Sequence, residues 1–121
     1  MRTGPKLVES PSAPTLSPDF RRFLARARRR FRPDRIILFG SRARGTARET
    51  SDYDLVIVAS VFRGVPWIQR APMVVRLWDL PYDLEPICLT PEEFRRRSAE
   101  LSIVGVAARE GVALYSRVDR R

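Results

Sequence analysis

The segment from Ile36 to Ser60, IILFGSRARGTARETSDYDLVIVAS, constrains this chain more than any other. A run of large apolar residues, Ile36 to Phe39, stops at Gly40-Ser41. With no Cβ at that glycine, backbone N–H groups can approach an anion. After ten intervening residues, Asp52 and Asp54 stand at the head of a second apolar run, Leu55 to Ala59. On a strand, positions i and i+2 point to the same face. Two carboxylates held there repel each other unless cations lie between them, and hard oxygen ligands suit Mg²⁺. A phosphate cradle beside a divalent-metal site is what phosphoryl or nucleotidyl transfer requires.

Bulk properties exclude several other chemistries. At 121 residues the chain has room for one domain, expected over residues 17–121. It contains no histidine and a single cysteine, Cys88, so a Ser-His-Asp triad, a Cys–His pair, a Cys-cluster zinc site and an internal disulfide are all ruled out. Carboxylates and arginines must carry the chemistry. No apolar run approaches the roughly 20 residues of a membrane span. The opening MRTGPKLVESPSAPTLSP has no signal-peptide centre, which leads to the expectation of a cytoplasmic protein. The net charge of +9 is almost all arginine, with Lys6 the only lysine. Such a charge fits a solvated surface, attraction to polyanions such as a nucleoside triphosphate or RNA, or docking on an acidic partner.

Residues 1–16, rich in proline and small polar residues, read as a poorly ordered arm. Ser17 as N-cap and Pro18 in the first position open a helix whose stripe is Phe20, Phe23, Leu24, Ala27 and Phe31. The arginines between them lie mostly on the other side, read as a solvated face ahead of a binding one, and Pro33 ends the helix. A strand over Arg35–Phe39, a short helix over Ser41–Ala47 and a strand over Tyr53–Ser60 follow. Tyr53, opposite in phase to the two acids, reads as core. Residues 64–79 suggest a sheet-packed helix that Pro66 and Pro72 start or kink, with Trp67 and Trp78 read as core ahead of a role in stacking a base. A third strand covers Tyr82–Leu89, where Pro86 requires an edge or a bulge. Thr90-Pro91-Glu92-Glu93 forms a capping box, so both glutamates read as structural. The helix after it is broken near Ser98, resumes over Ser102–Glu110 and stops at Gly111, before a last strand over Val112–Tyr115 and a frayed tail from Ser116.

The Gly-Ser-x10-Asp-x-Asp pattern (Gly40, Ser41, Asp52, Asp54) resembles the DNA polymerase β-type nucleotidyltransferase superfamily. The wording FGSRARG then SDYDL, with LTPEEF and REGVALY, resembles its minimal nucleotidyltransferase branch from about Arg35 to Tyr115. Helix–strand alternation alone would favour a parallel doubly wound sheet. The resemblance instead implies an α+β, polymerase β-like core: a mixed, mostly antiparallel sheet of about four strands, with helices on one side.

The resemblance also implies a reaction, namely transfer of a nucleoside monophosphate, AMP from ATP, to an acceptor hydroxyl with release of pyrophosphate. Two Mg²⁺ ions about 4 Å apart would hold the attacking and leaving oxygens. Asp52 and Asp54 would be the first ligands and catalytic residues. The third acid, which would also draw the acceptor's proton, is Glu85 or Asp83, at i and i+2 of one strand. The family's spacing ahead of the TPEEF-like cap favours Glu85, while the shorter side chain of Asp83 would suit a tighter cage. Gly40 and Ser41 would cradle the β- and γ-phosphates, and Arg42 and Arg44 would contact triphosphate oxygens, with Arg48 a weaker candidate and Ser51 a turn residue. The chain has no room for the acceptor-holding domain of larger relatives. Its implied partner is a small helical HEPN protein in a toxin–antitoxin pair, with a HEPN tyrosine as acceptor; a homodimer is a further possibility. The rival readings are a non-catalytic antitoxin or scaffold, and a basic nucleic-acid-binding module.

Overall fold

A computed structural model of the chain describes residues 16–45 and 52–117. The expected arm, apart from Leu16, lies outside those residues, as do Arg48, Ser51 and the chain after Arg117.

Helix α1 (Pro18–Phe31) forms where its caps predict. The Ser17 side chain accepts from the Phe20 N–H at 3.1 Å, and Arg32, left-handed at φ 48°, closes the helix. Its buried stripe is the expected one: Phe20, Phe23, Leu24, Ala27 and Phe31. Strands β1 (Arg35–Phe39), β2 (Tyr53–Val58), β3 (Leu84–Leu89) and β4 (Val112–Ser116) form one sheet in the order β3-β2-β1-β4. β1 runs antiparallel to β2 and β4, while β3 lies parallel to β2. The sheet is therefore mixed and mostly antiparallel, as expected. Pro86 sits in β3, an edge strand, where its missing N–H breaks no ladder bond. The last strand takes in Ser116, which was expected to begin the frayed tail.

Helix α2 (Ser41–Arg44) is one turn, shorter than expected, because Gly45 ends it in a left-handed conformation at φ 77°. β2 ends at Val58, so Ser60, expected as the end of that strand, instead opens a 3-10 turn (Ser60–Phe62); residues 64–79 contain helix α3 (Trp67–Val75), with Pro66 at its N-cap and Pro72 inside it. Helix α4 (Pro91–Arg97) carries the complete capping box of Thr90 and Glu93, and α5 (Ile103–Glu110) is capped by Ser102. No helix among the described residues is long and apolar enough to cross a membrane.

The helices cover both faces of the sheet, not one. On the first face, Ile36, Leu38, Tyr53, Leu55, Ile57 and Leu114 pack with the α1 stripe and Val74 of α3. On the second, Ile37, Val56, Val58 and Leu89 pack with Val104 and Ala107 of α5 and with Phe94 of α4. The reason lies in β2: Val56, Ile57 and Val58 are consecutive and all at most 1% exposed, so each face of the central strand needs its own cover. Trp78 joins the core, with its ring edge-on to Phe23 at 4.9 Å. Trp67 does not: it is 53% exposed, with Arg70 and Arg97 against its ring.

One polar tie was not anticipated. Arg70, buried at 7% exposure, donates to Val65 O at 2.9 Å, Cys88 O at 3.1 Å and Glu93 Oε1 at 2.6 Å. Glu93 Oε1 also accepts from the Thr90 N–H at 2.9 Å. A single ion pair thus joins α3, β3 and α4. The capping box marked Glu93 as structural, but no sequence signal singles out Arg70 from its surroundings.

Candidate active site

Strand β1 delivers Gly40 to the mouth of the site. Its φ of 78° with ψ of −159° is a conformation open in practice only to glycine. A Cβ built there would stand 2.5 Å from Asp54 Oδ2. The bend and the acid are therefore in direct contact. The Gly40 carbonyl accepts from the N–H groups of Ala43 and Arg44 at 3.1 and 3.2 Å, which turns the chain into α2. A one-turn helix has little macrodipole, so what this bend offers is individual N–H groups rather than the end of a helix dipole.

The direction of Asp54 is set by its neighbours. Tyr53 and Leu55 are buried on the first face, with the Tyr53 ring 4.8 Å from Phe20 and 5.3 Å from Trp78. Alternation along β2 then puts Asp54 on the second face, together with Asp52 two positions earlier. In the ladder Asp54 pairs with Phe39 on one side and with Glu85 on the other. Glu85 thus lies abreast of Asp54, on a neighbouring strand and on the same face.

The three acids interact electrostatically. The Asp54 carboxyl is pushed above the usual carboxylate range, first by burial and then by the charge of Asp52, while a hydrogen bond with Glu85 opposes the shift. Glu85 is also raised, by burial first, then by the charges of Asp54 and Asp52 and a hydrogen bond with Asp52; Asp83 comes last among the causes. Asp83 is exposed and precedes β3, and its backbone carbonyl accepts from the Tyr53 N–H at 2.9 Å. Of the four acids read from the sequence, Asp52, Asp54 and Glu85 are brought together and Asp83 stands at their margin.

As the side chains stand, no three His, Cys, Asp or Glu groups among the described residues form a closed metal-binding set. By donor chemistry the trio fits a hard divalent cation: all three donors are carboxylates, with Asp54 and Glu85 abreast on adjacent strands and Asp52 just ahead of β2.

The two arginines of α2 behave differently. The Arg42 guanidinium lies 4.1 Å from the Tyr53 ring centre and 4.8 Å from that of Tyr82, on the aromatic side of the sheet. A contact from Arg42 to a triphosphate would draw it from this stack, which is worth about 0.5–2 kcal/mol. Arg44 is exposed at the end of the turn, and Ser41 is partly exposed beside Gly40.

A glycine bend packed against paired acids, at one end of a mixed four-stranded sheet, is the arrangement expected of a domain of the nucleotidyl-transfer type. The chain belongs to the nucleotidyltransferase domain family, whose model matches residues 20–112, and nucleotidyl transfer is the activity of that family. Among solved structures it is similar to a candidate nucleotidyltransferase from Sulfolobus solfataricus, with a TM-score of 0.54 and 24% identity over 76% of this chain and 72% of that one. It is also similar to BolA1 from Arabidopsis thaliana (TM-score 0.51, 18% identity, 64% of this chain and 98% of that one). The BolA domain of SufE1 from the same plant gives a TM-score of 0.53 and 16% identity, over 65% and 99% of the two chains. At these identities the structural likenesses establish the fold alone. No curated protein matches the chain.

Proposed function

We propose that this domain transfers a nucleoside monophosphate, AMP from ATP, to a hydroxyl group on a partner protein. The observation that carries the reading is the register of Asp54 with Glu85, with Asp52 on the same face and Gly40 against Asp54. The acceptor oxygen attacks the α-phosphorus and forms the new P–O bond. The bond to the bridging oxygen breaks, and pyrophosphate leaves with the electron pair. Glu85, whose carboxyl already favours protonation, takes the acceptor's proton. Gly40 and Ser41 hold the β- and γ-phosphates through backbone N–H groups and the hydroxyl.

Asp52, Asp54 and Glu85 would hold Mg²⁺, which when bound neutralises the charge that develops on the phosphoryl oxygens. A tyrosine of a small helical HEPN protein is the acceptor that the family resemblance implies, as one half of a toxin–antitoxin pair. The test is transfer of labelled AMP from ATP to a co-purifying protein, with and without Asp52→Ala and Asp54→Ala together. We expect the double variant to lose at least two orders of magnitude in rate, the scale of removing one charge-stabilising group from a transfer site. Unchanged transfer in that variant would overturn the proposal. A protein that binds and silences its partner without transferring AMP would replace it with the non-catalytic reading.

A further inference from the structure

At the other end of the sheet from the acids, Ala25, Arg28, Arg29, Arg32, Tyr115 and Arg117 line an open cavity of about 490 Å³. Tyr115 pairs with Ile36 near the start of β1, whereas the acid cluster adjoins Phe39 at its end. Three residue steps along a strand separate the two by about 10 Å. The cavity is therefore a place of its own.

Its charge is largely uncompensated. Arg117 is paired with Asp34 at 2.5 Å, and its Nη2 also donates to Arg32 O at 3.3 Å. No ion pair among the described residues neutralises Arg28, Arg29 or Arg32. Arg28 lies over the Tyr115 ring at 4.5 Å, which holds its guanidinium at the wall. Arginines in the last turn also complement the negative end of the helix dipole. That effect needs one or two cations. It does not account for Arg21, four residues before Ala25 on the same side of α1, whose Nε donates to Leu16 O at 3.4 Å. From Arg21 to Arg32 the helix rises about 16 Å. A row of that length suits several phosphates in succession better than one small anion.

We propose that this cavity and the adjoining side of α1 hold the phosphate backbone of a nucleic acid strand, independently of the acid cluster. The lining decides between a nucleic acid and an acidic protein. Protein interfaces are built around an apolar centre, whereas nucleic-acid interfaces are polar and strongly positive. The large exposed apolar residues, Val61, Trp67, Ile68, Val75, Leu101, Ile103 and Val106, all lie outside the cavity wall. Guanidinium forks match phosphate oxygens in pairs.

The test is fluorescence anisotropy of the full chain with a labelled 20-nucleotide single-stranded RNA across a salt series. We expect steep salt dependence in the unaltered protein. Arg29→Gln with Arg32→Gln should weaken binding at least tenfold and reduce the log–log salt slope by about 1.4, at about 0.7 per lost phosphate contact. Arg29→Lys with Arg32→Lys should retain most of the binding, which separates charge from folding. Asp52→Ala with Asp54→Ala should leave it unchanged, so the outcome is independent of whether nucleotidyl transfer occurs. Absence of binding at low salt, an unaltered slope in the glutamine pair, or tighter binding of poly-glutamate carrying the same number of charges would each overturn the proposal.

Discussion

Gly40 leaves room for the Asp54 carboxylate: the position a Cβ would take on the glycine lies 2.5 Å from the aspartate's Oδ2. The bend at the end of β1 and the acid at the start of β2 are therefore one unit, joined by the antiparallel pairing of Phe39 with Asp54.

Substitution of Gly40 tests that unit. Gly40→Ala meets both a left-handed backbone at φ 78° and the Asp54 carboxylate. Forcing an L side chain into this glycine-only region costs about 1–3 kcal/mol in backbone energy alone. We expect a lowered unfolding midpoint and a transfer rate reduced at least tenfold, read by thermal denaturation and by the labelled-AMP assay.

The acid cluster should destabilise the metal-free protein. Asp54 and Glu85 are both raised above their ordinary values, so the folded state binds protons that the unfolded chain releases. Stability is accordingly lost as pH rises from the ordinary carboxylate range through the raised folded values. Asp54→Asn should therefore be more thermally stable than the unaltered protein at pH 7 with chelator present, and the gain should vanish below about pH 4, near the ordinary aspartate value. Mg²⁺ should raise the unaltered protein's midpoint and leave that of the variant nearly unmoved. An equal response of both proteins would contradict metal binding at these residues.

The Arg70–Glu93 pair gives the opposite pH behaviour. Arg70 beside it holds the Glu93 carboxyl below the usual range. Its contribution is present above the unfolded value of 4.5 and is lost as pH falls through the depressed folded value. Arg70→Ala leaves Glu93 and the Cys88 carbonyl without this donor, at a cost of about 3 kcal/mol. Urea denaturation at pH 6 and at pH 3 measures it, with the larger difference expected at pH 6.

Gly105 offers a test against simple propensity. An alanine inside a helix ordinarily gains up to about 1 kcal/mol over glycine. Here the Glu100 carbonyl oxygen occupies the space a Cβ would need, and Arg109 Nη1 lies 3.2 Å from it. Gly105→Ala should destabilise by about 2 kcal/mol, within the range for overpacked sites. A gain in stability would show that the turn ahead of α5 yields freely.

The sequence by itself determined whatever depends on neighbours along the chain. Ser17 and Pro18 set the start of α1, its 3.6-residue stripe chose the buried face, and Thr90 with Glu93 closed the box on α4. The phase of β2 alone put Asp52 and Asp54 opposite Tyr53. Tertiary structure decided what depends on residues far apart in sequence. Only the parallel register of β2 with β3 sets Glu85, rather than Asp83, abreast of Asp54. Only the packing of α5 shows that the second sheet face is covered, and only the fold turns Arg70 inward while leaving Trp67 outside. Local periodicity states which residues share a face, but strand direction and partners are fixed by burial summed over the whole chain, which no single segment encodes.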